Sequence, residues 1–214
     1  MQKYYSAFAR PFLFFAGFVW LMAARASGSD PHTIVFFGDS LTAGYGLADP
    51  SSEAYPALIQ QKIDEAGLPW RAVNAGLSGE TTSAGLRRVD WILRQPVDIF
   101  VLALGANDGL RGIDPAVSRE NLEKIVDRVR AKNPKVKIVL AGMQIPPAMG
   151  REFSREFERV FPEVAQKTDA TLVPFLLEGV GGRVDLNQPD RIHPTSKGHT
   201  LIAETVWKVL RPLL

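Results

Sequence analysis

The chain contains no cysteine, which excludes disulfides and thiolate metal sites. Histidine is scarce: only His32, His193 and His199 occur, with no pair at i, i+4 and no carboxylate cluster at ligand spacing. Neither a metal nor a cofactor is therefore expected. No charge of one sign dominates, since 25 Lys and Arg stand against 23 Asp and Glu. Residues 1–26 hold Lys3, Arg10 and Arg25 and no acid, which leaves 22 basic against 23 acidic residues in the remainder. A balance this even speaks against nucleic acid or an anionic membrane surface as a partner. There is no repeat, no low-complexity tract and no Ser-x-x-Lys, and the last absence weighs against a penicillin-binding or β-lactamase chemistry.

Long apolar runs are also few. Pro11 to Ala24 is uncharged, yet shorter than the roughly 20 residues a spanning helix needs. With basic residues ahead of it and Ala24-Arg25-Ala26 behind it, it reads as a secretory signal peptide cleaved after Ala26. Residues 27–214 are then expected to form a single periplasmic or secreted domain with no membrane span after processing. Its oligomeric state is not legible.

What is present is an alternation of strands and helices. Thr33–Phe37 is an apolar run that ends at Gly38-Asp39-Ser40, followed by a loop to Ser52. The Gly44-x-Gly46 pair in that loop lacks the third glycine of a dinucleotide loop, Asp49 standing there, and no Gly-Lys-Ser/Thr follows. Tyr55, Leu58, Ile59, Ile63 and Ala66 share a helical face that Gly67 and Pro69 close. Further strands are expected at Trp70–Val73, Asp98–Leu104, Val136–Ala141 and Thr171–Phe175. Helices are expected over Thr82–Arg94, around Leu122–Val129, around Phe153–Phe161, where Pro162 would kink or restart the helix, and after the N-cap Thr195. Such alternation implies an α/β domain with a mainly parallel sheet, and ligands bind such sheets beyond the carboxyl ends of the strands.

The polar, glycine-bearing segments all fall at that edge. Ser40, delivered by the first strand, is a candidate nucleophile, and a serine needs a base to take its proton and donors to hold the oxyanion it creates. His193, three residues after Asp190 in Asp190-Arg191-Ile192-His193-Pro194, is a candidate base with its own orienting carboxylate. His32 and His199 are read as structural, and Asp39 as a loop brace. Ser78, in Gly76-Leu77-Ser78-Gly79, lacks the Gly-x-Ser-x-Gly spacing of a nucleophile elbow.

Gly38-Asp39-Ser40-Leu41, Asn74-Ala75-Gly76-Leu77-Ser78-Gly79, Gly105-Ala106-Asn107-Asp108 and Asp190-Arg191-Ile192-His193-Pro194 resemble, in order, the four blocks of the SGNH, or GDSL, hydrolases. Gly38–Gly46, Asn107–Gly112 and Met143–Pro147 resemble more narrowly the exported bacterial thioesterase/protease/lysophospholipase group and its arylesterase relatives. Ala106 departs from the second glycine common in that group, and its methyl would narrow the acyl site. The resemblance implies a three-layer α/β/α domain with a five-stranded, flavodoxin-like sheet. It also implies a catalytic Ser40, His193 and Asp190 and an oxyanion hole formed by the Ser40 and Gly76 N–H groups and the Asn107 amide. Leu77, Leu110, Ile145 and Pro146 are expected to line an acyl groove. The expected activity is hydrolysis of small-molecule or lipid acyl esters and thioesters. An O-acetylesterase acting on cell-wall or exported carbohydrate is the alternative, and a non-catalytic binding module would have no need of all four polar residues.

Overall fold

A computed structural model describes residues 31–214, so the leader assigned to residues 1–26 lies outside the described residues. Five strands, β1 (His32–Gly38), β2 (Trp70–Gly76), β3 (Ile99–Ala103), β4 (Lys137–Ala141) and β5 (Thr171–Val173), form one parallel sheet in the order β2-β1-β3-β4-β5. The chain steps outward from β1 to β2, then crosses back to β3 and continues the other way. That reversal opens a crevice between the carboxyl ends of β1 and β3, where an open α/β sheet binds its ligand.

The helices form two sets. α3 (Tyr55–Glu65) packs with α8 (Ser196–Leu210), while α4 (Thr82–Ile92), α6 (Pro115–Lys132) and α7 (Arg151–Lys167) contact one another in series. Strands covered on both faces need apolar residues without alternation, and Ile34–Phe37 and Ile99–Leu102 are accordingly buried throughout. The outer edge of β2 is covered by one side chain of α3: Gln60 Oε1 accepts the Ala72 N–H at 2.6 Å and its Nε2 donates to the Trp70 carbonyl at 3.3 Å. Among the described residues no helix is long and apolar enough to cross a membrane.

Several local expectations need correction. The stretch read as a loop from Gly38 to Ser52 holds two one-turn helices, α1 (Ser40–Ala43) and α2 (Pro50–Glu53). Asp39 caps the first through the Leu41 N–H and left-handed Gly44 stops it, while Asp49 caps the second ahead of Pro50. A third short helix, α5 (Ala106–Leu110), follows β3. These elements are too short to carry a periodic signal. Pro162 neither breaks nor restarts its helix: α7 runs unbroken through it. The N–H it lacks would have met the carbonyl of exposed Glu158, which can bond to water instead.

His199 is buried and caps a neighbouring helix. Ala54, the residue before α3, offers no capping side chain, and His199 Nδ1 accepts the Tyr55 N–H from across the helix pair at 3.2 Å. The two rings stack at 6.3 Å, and the Tyr55 hydroxyl bonds Thr42 Oγ1 at 2.9 Å. Burial, and secondarily the charge of His193, pushes the His199 imidazole down from 6.5 to about 4. A histidine depressed in the folded state contributes stability that is complete above pH 6.5 and is lost as pH falls towards 4. His199→Gln should therefore be less stable than the wild type at pH 7, with the gap narrowing by up to about 3 kcal/mol at pH 4. Urea unfolding at the two pH values measures this, and a gap that does not change with pH would contradict the assignment.

Candidate active site

β1 ends at Gly38, a position where nothing larger fits. A Cβ there would stand 2.1 Å from Thr42 Oγ1 and 2.8 Å from the Ala103 carbonyl oxygen. The chain turns at once into α1, with Asp39 as cap and Ser40 as first residue. Ser40 Oγ lies 2.9 Å from His193 Nε2, and His193 Nδ1 lies 2.7 Å from Asp190 Oδ2. The other carboxylate oxygen, Asp190 Oδ1, accepts the backbone N–H groups of Ile192 and His193 at 2.9 and 3.0 Å. Arg191, between them, adopts φ +60°, a left-handed conformation few non-glycine residues take. The hydrogen bond from His193, followed by the two backbone donors, holds the Asp190 carboxyl down at about 2. A hydroxyl on an imidazole whose far nitrogen meets a carboxylate can surrender its proton as it attacks a carbonyl.

The donors around Ser40 are arranged less simply than the sequence suggests. Among the described residues the Ser40 N–H meets no acceptor. Asn107, on α5, donates through Nδ2 to the Glu80 carbonyl at 3.1 Å and to Asp39 Oδ2 at 3.3 Å. A carbonyl can only accept, so the Glu80 contact fixes which end of the amide is the nitrogen. Gly76 does not present a free donor. Its N–H donates to Asn74 Oδ1 at 3.0 Å, and its missing Cβ makes room for the backbone of Ala43, 2.3 Å from where that carbon would sit. The Gly79 N–H has no acceptor among the described residues, as is also true of Ser78, and Gly79 alone of the two takes a left-handed φ of +78°, with its carbonyl held by Arg111 Nη2 at 3.0 Å. The second glycine of Gly76-Leu77-Ser78-Gly79 was the available signal for it.

A buried acidic layer lies behind these donors. Asp39 is only 1% exposed, and burial pushes its carboxyl up to about 7. The Leu41 N–H and the Asn107 amide act in the opposite sense, while Glu80 and Asp108 add to the rise. Glu80 is paired with Arg88, whose Nε donates to Glu80 Oε1 at 2.6 Å and whose Nη2 reaches both Glu80 Oε2 and, at 2.9 Å, the Ala75 carbonyl. The guanidinium also lies over the Phe37 ring at 4.2 Å. Asp108, beside Asn107, accepts the Thr82 N–H at 2.9 Å and the Thr82 and Ser118 hydroxyls at 2.5 and 3.2 Å, tying α5 to α4 and α6. Glu80, Arg88 and Asp108 were not singled out from the sequence, because their partners lie on other elements.

Of the residues expected to line a groove, Leu77, Leu110 and Pro146 are exposed at the carboxyl edge of the sheet. Ile145 is not, being 7% exposed and packed against Gly109 as part of the core. Among the described residues no group of three His, Cys, Asp or Glu could hold a metal ion.

The pattern of the GDSL-like lipase/acylhydrolase family matches residues 36–201. Esterase TesA of Pseudomonas aeruginosa is 40% identical over 183 residues, spanning 85% of this chain and 89% of that protein. Thioesterase 1/protease 1/lysophospholipase L1 of Escherichia coli K12 is 35% identical over 209 residues, spanning 95% and 92%. A crystal structure of TesA superposes with a TM-score of 0.81 at 39% identity, over 86% of this chain and all of that one. With its five-stranded parallel sheet and its site at the β1/β3 crevice, the chain belongs to the GDSL-like lipase/acylhydrolase family, the SGNH hydrolases, and is a hydrolase of that family.

Proposed function

We propose that the protein is an exported serine esterase that hydrolyses acyl esters and thioesters through an acyl-enzyme. The observation that carries this reading is the unbroken chain from Ser40 Oγ to His193 Nε2 at 2.9 Å and from His193 Nδ1 to Asp190 at 2.7 Å. In the first half-reaction Ser40 Oγ attacks the acyl carbonyl as its proton passes to His193 Nε2. Asp190, ionised because its own carboxyl sits so low, steadies the imidazolium. The oxyanion is met by the Ser40 and Gly79 N–H groups and by the Asn107 amide, which gives up its long 3.3 Å contact with Asp39 to do so, and His193 then hands its proton to the departing alcohol or thiol. Water takes the same route in reverse, with His193 as base, and frees the acid.

Asp39 is assigned a supporting part. It accepts from Asn107, and below about pH 7 its carboxyl is neutral, so it adds no negative charge beside the oxyanion. Exposed Leu77, Leu110 and Pro146 offer an apolar wall for an acyl chain. The names of the relatives, esterase and thioesterase/lysophospholipase, support acyl ester and thioester substrates over O-acetylated carbohydrate. The leader read from residues 1–26 supports a periplasmic or secreted site of action for the domain 27–214.

Residues 27–214 and variants should be assayed with p-nitrophenyl esters of rising chain length, palmitoyl-CoA, lysophosphatidylcholine and acetylated xylan. Ser40→Ala is expected to lower kcat by a factor of about 10⁴ or more, and an unaffected variant would sink the mechanism. Activity confined to acetyl groups would replace the lipid-ester reading with carbohydrate deacetylation. Asn107→Ala should reduce kcat by about 10²–10³ with little change in KM; a loss seen only in KM would place Asn107 in substrate binding instead.

A further inference from the structure

The side chain of Tyr45 has no evident structural task. It follows Gly44, the left-handed end of α1, and more than half of its surface is open to solvent. Its ring nevertheless lies against the imidazole of His193, with centroids 4.6 Å apart and planes tilted by 45°.

The contact is built from both sides. Tyr45 N–H donates to the Ser40 carbonyl at 3.1 Å, which ties the Tyr45 backbone to that of the nucleophile. Gln188 then joins the two loops: its Nε2 donates to the Tyr45 carbonyl at 2.7 Å and to the Pro194 carbonyl at 3.1 Å, and its own N–H donates to the His193 carbonyl at 2.7 Å. Gly46, at φ +76°, provides the space for this, since a Cβ there would stand 2.2 Å from Gln188 Oε1. The glycine pair that faintly resembled a dinucleotide loop thus makes the turn that presents Tyr45 and the gap that seats Gln188. One residue, Gln188, thus ties the backbone of Tyr45 to the backbone of His193 and Pro194.

We propose that Tyr45 is a positioning residue acting through His193, its ring face stabilising the imidazolium that forms when Ser40 passes its proton to Nε2. The proposal rests on the serine-hydrolase reading above. An aromatic face within about 6 Å of a cation attracts it through the ring quadrupole, modestly at exposed sites. The other charged and titratable groups around the imidazole are Asp190 and Arg191 of its own loop and His199 of α8, which stays neutral down to about pH 4. Asp39, beside Ser40, also titrates in this range, near 7, but its hydrogen bonds go to Leu41 and Asn107 and not to Tyr45, so a limb that moves across the Tyr45 series reports the ring.

The test is the pH profile of kcat/KM for p-nitrophenyl butyrate, read at the isosbestic wavelength, for wild type, Tyr45→Phe, Tyr45→Trp and Tyr45→Leu, with Ser40→Ala run in parallel. Losing the ring face removes stabilisation of the protonated imidazole. In Tyr45→Leu the acidic limb should therefore move to lower pH by about half a unit, and the plateau should fall about three- to fivefold. Tyr45→Phe should restore the wild-type limb, and Tyr45→Trp, with the most electron-rich face, should match or exceed it. A fall in Tyr45→Leu without movement of the limb would overturn the proposal, leaving Tyr45 as mere cover. So would equal losses in Phe and Leu, which would assign the effect to the hydroxyl, or a profile unchanged across the series. An active Ser40→Ala would instead remove the hydrolase mechanism itself, so the two failures are distinguishable.

Discussion

The room left at Gly38 governs the architecture of the site. Thr42 and the Ala103 carbonyl close on that position so tightly that no side chain can occupy it, and directly after it Asp39 caps α1 and turns the chain. The turn sets Ser40 at the crevice between β1 and β3, within reach of Asn107 from the end of β3 and of His193 from the loop after β5. Gly76 repeats the device one strand over, letting β2 approach the backbone of Ala43. Close packing at the carboxyl edge of the sheet thus sets where the polar groups stand.

Electrostatics adds a second constraint. In the proposed mechanism attack by Ser40 places negative charge on the substrate oxygen, yet Asp39, Glu80 and Asp108 are gathered behind it. Arg88 balances Glu80 in a buried pair, and Asp108 is satisfied by Thr82 and Ser118. Asp39 has only neutral donors, and burial drives it towards its uncharged form. The layer thereby braces the donors proposed for the oxyanion while limiting the charge it sets against them.

The sheet and its edge were legible in the sequence because parallel strands need long apolar runs, and the glycine- and aspartate-bearing segments that end them stood out from those runs. Ser40, Asp190 and His193 were legible as types, and Asn107 by its place in a block. What escaped was decided by neighbours distant in sequence. Gly76 and Gly79 look alike in the chain, and only the carboxamide of Asn74 distinguishes the engaged N–H from the free one. Ile145 looked like a groove residue until Gly109 gave it a pocket to fill. Pro162 should have interrupted a helix, but the face it occupies is wet, so the missing bond matters little. The one-turn helices α1, α2 and α5 rest on caps and a left-handed glycine, features of one or two residues that no periodicity reveals.

The spacing of the three residues along the chain has a consequence for how the site comes into being. Asp190 and His193 are three residues apart, joined through backbone donors within a single turn around left-handed Arg191. Closing so short a loop requires little ordering of the chain. Ser40 is 153 residues away from His193, and their contact needs β1 seated in the sheet between β2 and β3 and the loop before α8 brought back across it. The relay is thus half local and half global: its acid–imidazole half is a property of one turn, whereas its final hydrogen bond can close only when the two ends of the described chain have come together. Under the proposed mechanism, recovery of hydrolysis during refolding would report completion of the longest-range contact in the site, a more demanding criterion than the return of secondary structure.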